Sequence, residues 1–254
     1  MIDRVRVALP LGSVDVARID VDRTLLPPLV FLHEGLGSIG LWRDFPEAVT
    51  HATGRAAVVS SRFGYGWSDP FPWRRGPDYM HREALEALPE LIDALEIDRP
   101  VLVGHSDGAS IAVIYAGLSG RSVSGLVLLA PHVFVEDESI EGIEAARESF
   151  VTTDLRERMA RHHADPEATF RLWNDIWLSP AFRAWNIEEV LPSITAPVLV
   201  VQGTQDRYGT VRQVDAIERG VSGPVERLLL DGCGHAPHLE RGPETLAAVT
   251  HFLT

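Results

Sequence analysis

Short apolar runs recur along this chain with helical patterns between most of them, and that alternation constrains the fold more than any other feature. The runs are VRVAL (5–9), VDVARIDV (14–21), LVFLH (29–33), AAVVS (56–60), VLV (101–103), GLVLLA (125–130), VLVVQ (198–202) and VERLLL (225–230). Each has the length and the β-branched or leucine content of a strand. The first two alternate in polarity and are joined through LPLGS, which predicts an antiparallel hairpin. The later ones are continuously apolar, as strands buried on both faces of a parallel sheet are. The expectation is an α/β fold built on a doubly wound, mostly parallel sheet of eight strands.

Two helices flank the middle of the chain. EALEALPELIDAL places Leu85, Leu88, Leu91, Ile92 and Leu95 on one stripe, with Pro89 expected to kink it. ASIAVIYAGLSG follows Ser106 as a small-residue helix closed by glycine. From His132 to Leu191 the strand runs stop. Helical patterns fill the gap, and Trp173, Trp177 and Trp185 fall within it. A helical insertion between sheet strands reads as a lid, which divides one domain into a first core part (1–131), a cap (132–191) and a second core part (192–254).

Composition narrows the function classes. No segment approaches the ~18 continuous apolar residues of a membrane span. The formal net charge of −13 opposes binding to nucleic acid or to an anionic membrane, both of which need clustered Lys and Arg. The start, MIDRVRVALP, lacks the pattern of a secretory signal, and the single cysteine, Cys233, rules out internal disulfides. A cytoplasmic location is expected, and a homo-oligomer is left open.

The stretch VLVGHSDGAS raises the question of chemistry. Gly104, His105, Ser106, Asp107 and Gly108 have the G-x-S-x-G form of a nucleophile elbow, set between a strand and a helix as such an elbow requires. A serine hydroxyl needs a base, and the base needs an orienting carboxylate. Downstream, Asp206 lies just past one strand run and His235 just past the next, at the sheet edge where α/β folds build their sites. Asp215, Asp231 and His238 are weaker rivals.

Five motifs, LHEGLGSIGLW, SRFGYGWSDP, GHSDG, GTQDRYG and GCGHAPH, occur in an order that resembles the α/β-hydrolase superfamily, over nearly the whole chain. The resemblance is to its capped serine-hydrolase branch, which holds esterases and carbon–carbon-bond hydrolases. It implies Ser106 as nucleophile, His235 as general base and acid, and Asp206 as the carboxylate that orients His235. It implies an oxyanion hole of main-chain N–H groups from Asp107 and from Gly35, with Leu36 next in line. No cofactor is implied, and the partner is a small-molecule ester. Carbon–carbon cleavage by the same triad and a slow ligand receptor are the alternatives.

Glu34 departs from the family pattern, which usually has glycine there. Its side chain is expected to turn away toward Arg62 or Arg43, or else to reach the pocket and bind a substrate hydroxyl or cation. Phe170, Trp173 and Trp177 share one helix face, expected to hold the lid down and to line the pocket. His238 is expected in a structural or pocket-rim role and His105 in a buried hydrogen-bonding role. His162 and His163 are expected on a solvated face, and Cys233 in the core.

Overall fold

The computed structural model describes residues 2–21 and 24–254. Its strands are β1 (Ile2–Leu9), β2 (Gly12–Ile19), β3 (Leu29–Leu32), β4 (Ala57–Ser60), β5 (Val101–His105), β6 (Gly125–Leu129), β7 (Val198–Gly203) and β8 (Val225–Leu230). They form one 8-stranded sheet in the order β1-β2-β4-β3-β5-β6-β7-β8. The first hairpin is antiparallel, with Val5 opposite Val16, and β2 meets β4 antiparallel; every later pairing is parallel. The α/β architecture read from the apolar runs is therefore the one formed.

The helices are α1 (Phe45–Thr53), α2 (Tyr79–Arg82), α3 (Leu88–Ala94), α4 (Asp107–Leu118), α5 (Asp137–Thr152), α6 (Leu155–Met159), α7 (Pro166–Trp177), α8 (Val211–Gly220), α9 (Pro237–Glu240) and α10 (Gly242–Leu253). The two-residue period of a strand assigns them to layers. Val101 and Val103 of β5 pack with Phe45 and Val49 of α1 and with Val249 and Leu253 of α10. Leu102 points the other way, into a layer with Ile111 of α4, Ile92 of α3 and Ile217 of α8. Helices α5, α6 and α7 lie between β6 and β7 in the chain, and a single antiparallel bridge, Phe134 to Asn186, joins the two ends of that segment. Among the described residues no helix is long and apolar enough to cross a membrane.

One part of the helical stripe departs from expectation. Between α2 and α3 the backbone takes π pitch over Glu83–Ala87, just ahead of Pro89. Proline has no N–H and crowds the carbonyl four residues back, and a widened turn absorbs both problems. The extra residue rotates what precedes it off the stripe. Leu88, Leu91 and Ile92 are buried, whereas Leu85 is 38% exposed. Leu85→Glu should leave stability within about 0.5 kcal/mol of the parent. Leu88→Glu should unfold the chain, and denaturant midpoints of the two variants read the difference.

Candidate active site

The elbow comes first. Ser106 follows β5 and α4 starts at the next residue, with Ser106 held at φ 53° and ψ −118°. A residue with a Cβ takes that conformation only under strain. Both flanking glycines are required by close approach: a Cβ on Gly108 would stand 1.9 Å from the Leu32 carbonyl oxygen, and one on Gly104 2.5 Å from Cα of Ala109. The Ser106 N–H donates to the Leu129 carbonyl at 2.9 Å, which pins the turn to β6.

Asp206 follows β7 and His235 follows β8, and the parallel register brings the two loops together. Nδ1 of His235 donates to Oδ2 of Asp206 at 2.7 Å. The Gln202 amide donates to the same oxygen at 2.8 Å, and the Tyr208 main-chain N–H donates to Oδ1 at 2.8 Å. Burial alone would raise the Asp206 carboxyl; the charge and hydrogen bond of His235 and the Tyr208 N–H outweigh it and hold the group below the usual carboxylate range. With its hydrogen on Nδ1, a neutral His235 keeps a lone pair on Nε2.

Ser106 and His235 line one cavity of about 100 Å³, and its walls also include Glu34, Gly35, Leu36, Trp173 and Trp177. The loop after β3 is fixed from behind. The Glu34 carbonyl accepts from Nδ1 of His33 at 2.7 Å, from Arg62 Nη2 at 3.0 Å and from the Gly37 N–H at 3.0 Å. His33 can donate there because its other nitrogen accepts the Arg62 main-chain N–H at 3.0 Å. Burial, reinforced by the Arg62 charge, keeps that ring neutral, its pKa well below the ordinary imidazole value. Across a trans peptide the N–H points opposite the carbonyl, so three donors on Glu34 O also set the direction of the Gly35 N–H. Gly35 has no side chain because Trp173 occupies the space: a Cβ there would lie 2.2 Å from the indole.

Behind the elbow, a polar chain reaches back to α7. Trp177 Nε1 donates to the Tyr79 hydroxyl at 3.0 Å, and that hydroxyl donates to Oδ2 of Asp107 at 2.6 Å. Arg62 Nη2 stands 3.7 Å from the same oxygen. The Asp107 carboxylate is thus turned away from the cavity, while its main-chain N–H sits in the first turn of α4.

Several expected positions differ. Glu34 does turn, but toward His105, with Oε2 at 3.3 Å from Nδ1. Arg62 meets the Glu34 carbonyl through Nη2 rather than the carboxylate, and the Glu34 side chain keeps a place on the cavity wall. His163 is buried rather than solvated. Its Nδ1 accepts the Gly66 N–H at 3.0 Å and its Nε2 donates to the Leu36 carbonyl at 3.0 Å. His238 is absent from the cavity wall and packs between Trp42, with ring centroids 4.8 Å apart, and His105, at 4.9 Å. Phe170 stacks on Phe150 at 4.0 Å, outside the cavity. Cys233 is in the core, where burial pushes its thiol up to about 11. Asp231 and Asp215 lie at the surface, bonded to Thr204 and Arg227.

Four wall residues were missed: His132, Ser139, Ile143 and Tyr208. Tyr208 stood inside a quoted motif, two residues past Asp206, and His132 stands just past β6, where a site residue belongs in such a sheet. The His132 ring is 5.8 Å from His235 and 5.2 Å from Trp177. Ser139 and Ile143 lie one turn apart on α5 and carried no signal of their own.

Residues 29–249 match the model of the alpha/beta hydrolase family, and the chain belongs to that family. It is 30% identical over 110 residues to 1-acylglycerol-3-phosphate O-acyltransferase ABHD5 of Rattus norvegicus, a match that takes in 43% of this chain and 30% of that one. The chain therefore spans about a third of that relative's length. A Pseudomonas putida 2-hydroxy-6-oxononadienedioate/2-hydroxy-6-oxononatrienedioate hydrolase is 28% identical over 89% of this chain and 87% of its own. Among solved structures, a serine hydrolase from the hydrocarbon-degrading bacterium Cycloclasticus zankles superposes with a TM-score of 0.81 at 14% identity, covering 99% of this chain and 98% of that one.

Three buried histidines set a pH prediction. Burial, then the charge of a neighbouring histidine, lowers His132 and His238 to about 3, and burial lowers His163 to about 4, from an ordinary 6.5. Each binds its proton more readily when unfolded. The stability they give is complete above about pH 6.5 and lost as pH falls toward these values, at up to about 1.4 kcal/mol per unit for each. Melting temperature should fall steadily from pH 6.5 to 4.5, and His163→Gln should make that slope shallower.

Proposed function

We propose that the protein is a serine hydrolase that cleaves small carboxylic esters through an acyl-enzyme on Ser106. The observation that carries this reading is the 2.7 Å bond from His235 Nδ1 to Asp206, which leaves Nε2 as a base beside a cavity that Ser106 also lines. In this reading Nε2 takes the Ser106 proton as Oγ attacks the ester carbonyl. The tetrahedral oxyanion is met by the N–H of Asp107, favoured by the α4 dipole, and by the N–H of Gly35, with Leu36 beside it. The histidine then protonates the leaving alcohol. Water attacks the acyl-enzyme through the same nitrogen, and Ser106 is released.

The cavity favours a small acyl group. About 100 Å³ is well below the ~300–1,000 Å³ of a typical ligand site. Trp173, Trp177, Ile143 and Leu36 give it an apolar part, and in this reading the α5–α7 segment acts as the lid that keeps water from the acyl-enzyme. Glu34 adds a carboxylate at the wall, a partner for a substrate hydroxyl or cation.

Carbon–carbon cleavage is the second reading, favoured by the activity for which the Pseudomonas putida relative is named. A dioate substrate carries two carboxylates. No Lys or Arg is among the described residues of the cavity wall, and Glu34 would repel such a substrate. The ester reading accordingly stands first.

The test is intact mass and peptide mapping after exposure to a small fluorophosphonate, followed by turnover of nitrophenyl esters and of a vinylogous diketone. We expect one adduct on Ser106, none in Ser106→Ala or His235→Ala, and ester turnover that drops by about 10⁴-fold in Asp206→Asn. Faster turnover of the diketone would put the second reading first. No adduct in folded protein would overturn both and leave a ligand receptor on the same fold.

A further inference from the structure

We propose that Glu34 and His105 form an ion pair, with His105 buried and Glu34 partly exposed, that locks the oxyanion loop, the elbow and the His235 loop into one body, with protonated His105 as the positioning residue. The inference rests on the site proposed above and adds a role for His105, which that site leaves unused, and a second one for Glu34.

Hydrogen-bond chemistry carries the argument. His105 is 3% exposed, the last residue of β5 and the neighbour of Ser106. Its Nε2 stands 2.7 Å from the His235 carbonyl and its Nδ1 3.3 Å from Oε2 of Glu34. A carbonyl and a carboxylate only accept, so each contact needs a hydrogen on the imidazole side. A neutral imidazole has one; only the imidazolium serves both.

Three loops meet on this ring. Glu34 belongs to the loop after β3, and its own carbonyl is the one fixed by His33, Arg62 and Gly37. The anchor that directs the Gly35 N–H thus also places the carboxylate that holds His105. At the other end, His105 grips the main chain of His235 while Asp206 grips its ring. Two fixed points on one residue define where Nε2 lies, and Asp206 alone supplies only one. An ångström of drift at such an atom costs much of a rate.

The surroundings favour a charge on this ring. Burial opposes it, and the hydrogen bond and charge of Glu34, the His235 carbonyl and the charge of Asp206 outweigh burial and raise the His105 pKa. Glu34 responds in the opposite sense: burial would raise it, but the hydrogen bond and charge of His105 hold it far below the usual carboxylate range. The other groups facing His105 are the rings of His235 at 5.1 Å, His238 at 4.9 Å and Trp42 at 6.2 Å. His238 is kept neutral by burial and by the His105 charge. Since the folded pKa of His105 is raised, the tie is complete below the ordinary imidazole value and is lost as pH rises through the raised one.

The experiment combines histidine-ring nitrogen NMR with pH profiles of kcat and KM on a nitrophenyl acetate. In the wild type at pH 7, one imidazole should carry hydrogen on both nitrogens, and its signal should vanish in His105→Gln. That ring should titrate at lower pH in Glu34→Gln by about one unit or more. The alkaline limb of kcat should move with it, with kcat reduced about 10- to 100-fold while KM changes less than about threefold. In His105→Gln the limb should be absent at a similarly reduced kcat. A neutral His105 ring at pH 7, or an alkaline limb that is the same in all three proteins, would overturn the proposal. NMR and Glu34→Gln decide the matter if His105→Gln does not fold. Absence of esterase turnover would instead sink the site reading, and the ring signals would still report the ion pair.

Discussion

Everything at this site hangs on a backbone that passes within contact distance of itself. Between β5 and α4 the chain reverses so tightly that a single methyl at Gly108 would overlap the Leu32 carbonyl, and Ser106 is left at a positive φ. The cost of such a conformation is ~1–3 kcal/mol. It is sustained because β5 is an inner strand whose apolar residues are buried on both faces. The sheet provides the stiffness, and the turn uses it to project one hydroxyl out of its plane.

Around that hydroxyl the fold buries several imidazoles, and where these have hydrogen-bond partners the partners dictate the protonation state. His33 and His163 each accept from a main-chain N–H with one nitrogen and donate to a main-chain carbonyl with the other, which fixes them as neutral. His235 donates to a carboxylate and keeps its second nitrogen free. His105 faces two acceptors. The loop geometry is held by these bonds more than by secondary structure, since the loops after β3, β7 and β8 have little regular hydrogen bonding of their own.

The sequence carried the sheet well because each strand is a local run of apolar residues, and the eight predicted runs agree with the eight strands to within a few residues at either end. The π turn was illegible for a physical reason: Pro89 announces a disturbance, but whether the helix bends, breaks or widens depends on what packs around it, and that choice decided the side on which Leu85 lies. Glu34 was misdirected because charge alone pairs it with Arg62. The arginine instead meets the Glu34 carbonyl through Nη2, which no composition or spacing reveals. His163 looked solvated because its partners, Gly66 and Leu36, lie about a hundred residues earlier in the chain. Ser106, Asp206 and His235, by contrast, sit just beyond strand ends, where topology alone brings them to one edge.

The two tryptophans of α7 differ in what they leave free to change. Trp173 rests on Gly35 through shape alone, whereas the Trp177 indole is the first donor in a chain that ends on Asp107. Trimming Trp177 would enlarge the cavity and also strip the Tyr79 hydroxyl of a partner, loosening the residue next to Ser106. The adaptable wall is therefore Trp173. A lineage drifting toward bulkier substrates has an open route at that position and a closed one a single helical turn away.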